Sequence, residues 1–131
     1  MASSKFIIYK GVEVLYTDLS NASPEEAIES LKQLRKNSLS RPLGSVLSIM
    51  NVSNTRYNSQ LISYAKDLAR ENKPQILAAT IFGFNDFTQL MLKSILLFAG
   101  RRDIKLTNSF EEGIEWLLQR YYATAKVRKA N

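Results

Sequence analysis

The stretch 46–74, VLSIMNVSNTRYNSQLISYAKDLARENKP, constrains the fold more than any other part of the chain. It opens on a nearly continuous apolar run, Val46 to Met50. A strand with one face in water alternates apolar and polar residues, whereas an unbroken run fits a parallel strand covered on both faces. A polar turn, residues 51–59, comes next. Leu61, Ile62, Ala65, Leu68 and Ala69 then recur at helical spacing, with Asn58 placed to cap the helix and Asn72-Lys73-Pro74 to stop it. A second buried run, ILAATIF at 76–82, supplies the neighbouring strand.

The rest of the chain reads as partners for that unit. KFIIYK at 5–10 and VEVLYTD at 12–18 are two short β-rich runs around a Lys-Gly turn, which predicts a hairpin at or near a sheet edge. Ser23-Pro24-Glu25-Glu26 forms a capping box with proline at the first helical position. Ala27, Ile28, Leu31 and Leu34 follow as the apolar stripe of a helix expected to end near Asn37. Gly83 ends the 76–82 strand, and Asn85 caps a helix over 86–99. Its expected core stripe is Phe87, Leu90, Met91, Ile95 and Phe98; Leu92, Leu96 and Leu97 make the apolar band wider than one packing face needs. Gly100 suits the end of that helix. DIKLT at 103–107 is a short last strand. Ser109-Phe110-Glu111-Glu112 is a second capping box, and Ile114, Leu117, Leu118 and Tyr121 stripe the final helix, with Trp116 beside them. The order β-β-α-β-α-β-α-β-α predicts an α/β fold: a five-stranded mixed sheet opened by a β-hairpin, with four helices packed on it. One domain over residues 1–123 and a basic segment at 124–131 fit a chain of 131 residues.

Composition enters chiefly through what it excludes. The chain has no cysteine, so no disulfide framework. It has no histidine, so neither a Ser-His-Asp unit nor a His/Cys zinc site can be built. Asp, Glu, Lys, Ser, Thr and Tyr remain, and none shows a catalytic spacing; no metal, no cofactor and no enzymatic activity are expected. Neither GxGxxG nor a Walker A sequence is present. Residues 1–4 are too short and polar for a signal peptide, and the longest apolar run, 95–99, is far below the ~20 residues of a membrane span. The expectation is a cytoplasmic protein with no membrane insertion. Net charge is +6, and Arg120, Lys126, Arg128 and Lys129 carry four of those charges. Such a segment attracts polyanions, but no aromatic interleaving accompanies it, so nucleic acid is not the expected partner.

The landmarks YKGVEVLYTDLS (9–20), SIMNVSNTRYN (48–58), ENKP (71–74) and FEEGIEWL (110–117) give the chain a family likeness over roughly residues 5–120. It resembles the STAS fold, whose best-known members are bacterial anti-sigma-factor antagonists. More closely it resembles a STAS-like group of small bacterial proteins of largely unassigned function. In the antagonists a strand leads into an Asp-Ser-Ser-Gly loop at a helix start, and the first serine is phosphorylated to switch partner binding. The matching stretch here is Tyr57-Asn58-Ser59-Gln60-Leu61, so the resemblance makes Ser59 the candidate phospho-acceptor. Asn58 replaces the acid, and Gln60-Leu61 replaces Ser-Gly.

The candidate site is accordingly the strand-end turn. Asn51, Ser53, Asn54, Thr55, Arg56, Tyr57 and Asn58 are candidate partner- or ligand-binding residues, joined by Asn85 and Asp86 from the next strand end. Open α/β sheets bind ligands at the carboxyl ends of their strands; Asn and Ser there also serve simply to satisfy turn backbone. The leading expectation is a non-enzymatic regulatory or protein-interaction domain, docking an unidentified protein through the 51–59 turn and helix 59–72. The alternative is a binder of a small apolar or anionic ligand at the same turn. The wide apolar band on helix 86–99 suggests a homodimer face.

Overall fold

The structure is a computed structural model, described over residues 2–130, with side chains through residue 125. The elements are β1 (Ser3–Tyr9), β2 (Val12–Asp18), α1 (Pro24–Leu39), β3 (Val46–Asn51), α2 (Ser59–Glu71), a 3-10 turn (Lys73–Gln75), β4 (Ile76–Phe82), α3 (Asp86–Phe98), β5 (Ile104–Leu106) and α4 (Phe110–Ala130). The five strands lie in chain order across one sheet; β1 and β2 are antiparallel, and β2, β3, β4 and β5 run parallel. The predicted mixed sheet and four helices are therefore present. The hairpin turn is Lys10-Gly11, with φ of 49° and 79°, and such paired positive values match the right-handed twist of the strands it joins.

Chain-ordered parallel strands dictate the layering. Right-handed crossovers between successive neighbours put every connecting helix on the same side of the sheet. Leu31 and Leu34 of α1, Leu61 and Leu68 of α2, and Leu92 of α3 accordingly share one buried cluster with Leu15, Val46, Ile76 and Ala79 of the sheet. The opposite side is covered by α4, through Ile114, Leu117 and Leu118 against Val12, Val14, Leu47, Ile49 and Ala78. Gly113 allows this approach: a Cβ there would sit 2.8 Å from Thr80 Oγ1 and 3.0 Å from Thr107 Oγ1.

The local signals operate as chemistry requires. Ser23 Oγ accepts from Glu26 N–H and the Glu26 carboxylate accepts from Ser23 N–H, which holds that carboxyl below its usual range. At Ser109 the box is altered: Glu112 donates its N–H to Ser109 Oγ, but its carboxylate reaches back to Asn108 N–H. Helix α1 runs to Leu39, past the expected end at Asn37, with Ser38 Oγ donating to Leu34 O inside the core.

Two expected stripes need correction. The buried residues of α3 are Thr88, Leu92 and Ile95, whereas Phe87, Leu90 and Phe98 of the expected core stripe are exposed. Thr88 lies on the core face because its hydroxyl donates to Asn85 Oδ1 and so needs no water. Tyr121 of α4 is exposed too, since the sheet contact ends at Leu118. The expected basic segment 124–131 lies, from Lys126 onward, outside the described side chains. No helix among the described residues is long and apolar enough to cross a membrane.

Candidate functional site

The carboxyl ends of β3 and β4 are in register at Asn51 and Phe82. Their loops meet at once: Val52 N–H donates to Phe82 O, and Gly83 (φ 91°) lies so close that a Cβ would stand 2.9 Å from Ser53 N and 2.8 Å from Asn51 Oδ1. The turn and the next strand end, linked by expectation, are thus in direct contact.

Inside the turn, polar side chains are tied to backbone. Asn51 Oδ1 accepts from both Ser53 N–H (3.0 Å) and Ser53 Oγ (2.7 Å). Thr55 is buried and donates its hydroxyl to Leu19 O at 2.6 Å. Asn58 Oδ1 caps α2 by accepting from Leu61 N–H, and Asn85 Oδ1 does the same for α3 through Thr88 N–H, each at 2.8 Å. Backbone bonds from Leu19 to Asn51, Asn21 to Ser53 and Arg56 to Ala22 bind the turn to the loop before α1. Of the candidates, Asn54, Arg56, Ser59, Asn85 and Asp86 face solvent. Asn54 adopts φ 53°, a conformation asparagine tolerates better than most residues. The first turn of α2 carries no acid, unlike those of α1 and α3.

Tyr57 differs from its neighbours. Its hydroxyl is sealed from solvent and has no hydrogen-bond partner. Burial pushes its phenol up to about 12, and the adjacent Thr55 hydroxyl, placed beside the Tyr57 oxygen but outside good hydrogen-bond geometry, acts weakly the other way. Tyr57 also lines an apolar cavity of about 100 Å³ on the helix-rich side of the sheet, the one candidate residue that does so.

Two further features stand out, the first unforeseen in the sequence and the second expected there on helix 86–99 but built from other residues. Arg101 is buried, its side chain 1% exposed, with its guanidinium bound to both carboxylate oxygens of Asp103 and to Ala69 O and Asn72 Oδ1. It arrives there because α3 ends in a Schellman turn: Gly100 (φ 67°) donates to Leu97 O and Arg101 to Leu96 O, folding the chain back inward. The glycine was a signal for the turn, but nothing local marks which of Arg101 and Arg102 it buries. The second feature is the bare face of α3, where Phe87, Leu90, Leu97 and Phe98 are 79%, 71%, 83% and 56% exposed. Lys66 and Arg70 of α2 reach over the Phe98 ring at 5.1 and 4.6 Å from its centre.

Sheet order and helix layering match a known architecture. An uncharacterised protein of the DUF3478 family from Shewanella loihica PV-4, described as having a SpoIIAA-like fold, superposes with a TM-score of 0.67 over 89% of this chain and 95% of its own. The chain has a SpoIIAA-like, STAS-like fold. Sequence identity is 10%, so the likeness is one of fold. No family model and no curated protein matches the chain.

Proposed function

We propose that this chain is a non-enzymatic protein-interaction domain whose docking surface is the bare face of α3 with the adjoining side of α2. The observation that carries the reading is the exposure of Phe87, Leu90, Leu97 and Phe98 on one helix. Single exposed apolar residues are ordinary, but a contiguous set of large ones marks a contact surface. The occupant that fits is a second copy. Asp86 stands at one end of α3, and Lys66 and Arg70 close the other over Phe98. An antiparallel pairing of two α3 helices sets each Asp86 against the cations of the other copy and opposes the helix dipoles, the self-complementarity a two-fold interface requires. The exposed part of the strand-end turn, Asn54, Arg56 and Ser59, lies at the start of α2 and in this reading meets the further, regulatory partner. A phosphate on Ser59 would add about −1.5 to −2 charge at an uncapped-by-acid helix start, which favours it there.

Sedimentation velocity tests the reading. The wild type is expected to be a dimer, Leu97→Glu a monomer of unchanged thermal stability, and Asp86→Lys weakened in self-association. Combining Asp86→Lys with Lys66→Asp and Arg70→Asp restores the dimer. A wild type that stays monomeric at about 1 mM overturns the second copy as occupant.

A further inference from the structure

We infer that the outer edge of β1, at Phe6 and Ile8, is a docking site for an extended, partly acidic peptide segment of a partner protein, which joins the sheet as a further strand. In an antiparallel pair, successive residues turn their N–H and C=O alternately toward the neighbouring strand and away from it. Ser4 fixes the phase for β1. Its N–H donates to Gln33 Oε1 and its C=O accepts from Asn37 Nδ2, both on α1, so the Ser4 backbone points away from β2. Its hydroxyl lies 3.0 Å from Thr17 Oγ1, the close side-chain approach of a pair that exchanges no backbone bonds. Phe6 and Ile8, in unbroken register with Leu15 and Glu13, therefore point away too. At Ser4 the edge is closed by α1. At Phe6 and Ile8 the outward N–H and C=O groups meet no hydrogen-bond partner among the described residues.

Alternating donors and acceptors at strand spacing match the backbone of another extended segment, the basis of recognition by strand addition. Sheets blunt such edges with proline, bulges, charges or shortness. The opposite edge, β5, has three residues. β1 has seven, with no proline, no register shift and Lys5 as its one charge, and Ile8 stands 69% exposed beside the open groups. The side chains set the chemistry of the occupant. Phe6 and Ile8 lie on the helix-rich side of the sheet, and Lys5, Ile7 and Tyr9 on the α4 side. An antiparallel newcomer sets two apolar residues against Ile8 and Phe6, and its next residue against Lys5. The neighbouring cations Lys10 and Arg41 are already paired with Glu115 and Glu13. Lys5 is exposed and has no such pair among the described residues, so the residue that faces it is acidic.

The probe is the peptide acetyl-Thr-Val-Thr-Val-Glu-amide, whose valines face Ile8 and Phe6 and whose glutamate faces Lys5 in the antiparallel register. Amide hydrogen exchange is followed residue by residue by NMR on the full-length Leu97→Glu chain, which keeps any pairing through α3 out of the readout. In the free chain Phe6 and Ile8 are expected to exchange fast, while Lys5 and Ile7 are protected by β2. At about 5 mM, the peptide slows Phe6 and Ile8 about threefold or more, the effect of two-thirds occupancy, and leaves Lys5 and Ile7 unchanged. The same peptide N-methylated at both valines keeps its side chains but loses its donors, and slows neither amide. Lys5→Glu weakens the parent peptide about threefold or more, and a peptide with lysine in place of the glutamate recovers the loss. The inference is overturned if Phe6 and Ile8 are already protected in the free chain, if the parent peptide slows neither, or if the N-methylated peptide slows them equally. Protection that rises with chain concentration in the absence of peptide assigns this edge to a second copy and also overturns the peptide as occupant.

Discussion

Replacing Arg101 by Met removes the guanidinium and keeps most of the aliphatic stem, so the change isolates the polar contacts. Those contacts comprise two bonds of 2.7 Å to Asp103, one of 2.7 Å to Ala69 O and one of 2.9 Å to Asn72 Oδ1. They tie the end of α2 to the entry of β5, two segments with few other links. Breaking one side of a buried ion pair costs about 3–5 kcal/mol, because the other charge stays behind uncompensated. Asp103 is 21% exposed and regains some water, which places the loss at the lower end, about 3 kcal/mol. For a chain of this length that is roughly 9–15 °C in Tm. Urea unfolding followed by Trp116 fluorescence is the assay; Trp116 packs on the α4 side of the sheet and so reports global unfolding rather than the mutated corner. The double change Arg101→Met with Asp103→Leu should recover a large part of the loss, since an apolar pair leaves no stranded charge. A single variant within about 0.5 kcal/mol of wild type, or a double variant worse than the sum of its parts, refutes the reasoning.

Two other outcomes follow from the geometry. Gly83→Ala forces a side chain into a positive-φ position against Asn51 and Ser53, at about 2–4 kcal/mol. Gly44→Ala, with φ 66° but open space around it, should lose only about 1–2 kcal/mol in the same urea assay. Tyr57 gives an alkaline signature. Its folded value of about 12 lies above its ordinary value of 10, so its contribution is intact below pH 10 and is lost as pH rises from 10 to 12 while the unfolded phenol ionises first. Stability should fall by roughly 2–3 kcal/mol more in wild type than in Tyr57→Phe across that window, measured by urea titrations at stepped pH.

Period and punctuation carried the fold. Nearly continuous apolar runs at 46–50 and 76–82 marked buried parallel strands, and Ser23, Asn58 and Asn85 marked helix starts because each is the acceptor its helix needs. The orientation of α3 was not legible. Phe87, Leu90, Met91, Ile95 and Phe98 follow helical spacing as well as Thr88, Leu92, Ile95 and Ala99 do, and hydrophobicity favours the wrong set. An exposed apolar face and a core face share one pattern. At the turn, the sequence placed the loop at the strand ends but could not separate side chains that hold backbone, such as Asn51 and Thr55, from those that face outward. The cavity was invisible because its shape is set by the volumes of side chains distant in sequence, from Leu19 to Ile104.

Because chain order and sheet order coincide, each strand pairs with the one before it, and all three helices of the shared layer precede α4 in the chain. The other side depends on α4. Val14, Leu47, Ile49 and Ala78 stay open to water until Ile114, Leu117 and Leu118 arrive from the last helix. A chain that stops before Phe110 therefore presents a paired, largely complete sheet with one naked apolar surface, the form most prone to stick to its own kind. Only a copy that carries α4 covers both sides of its sheet.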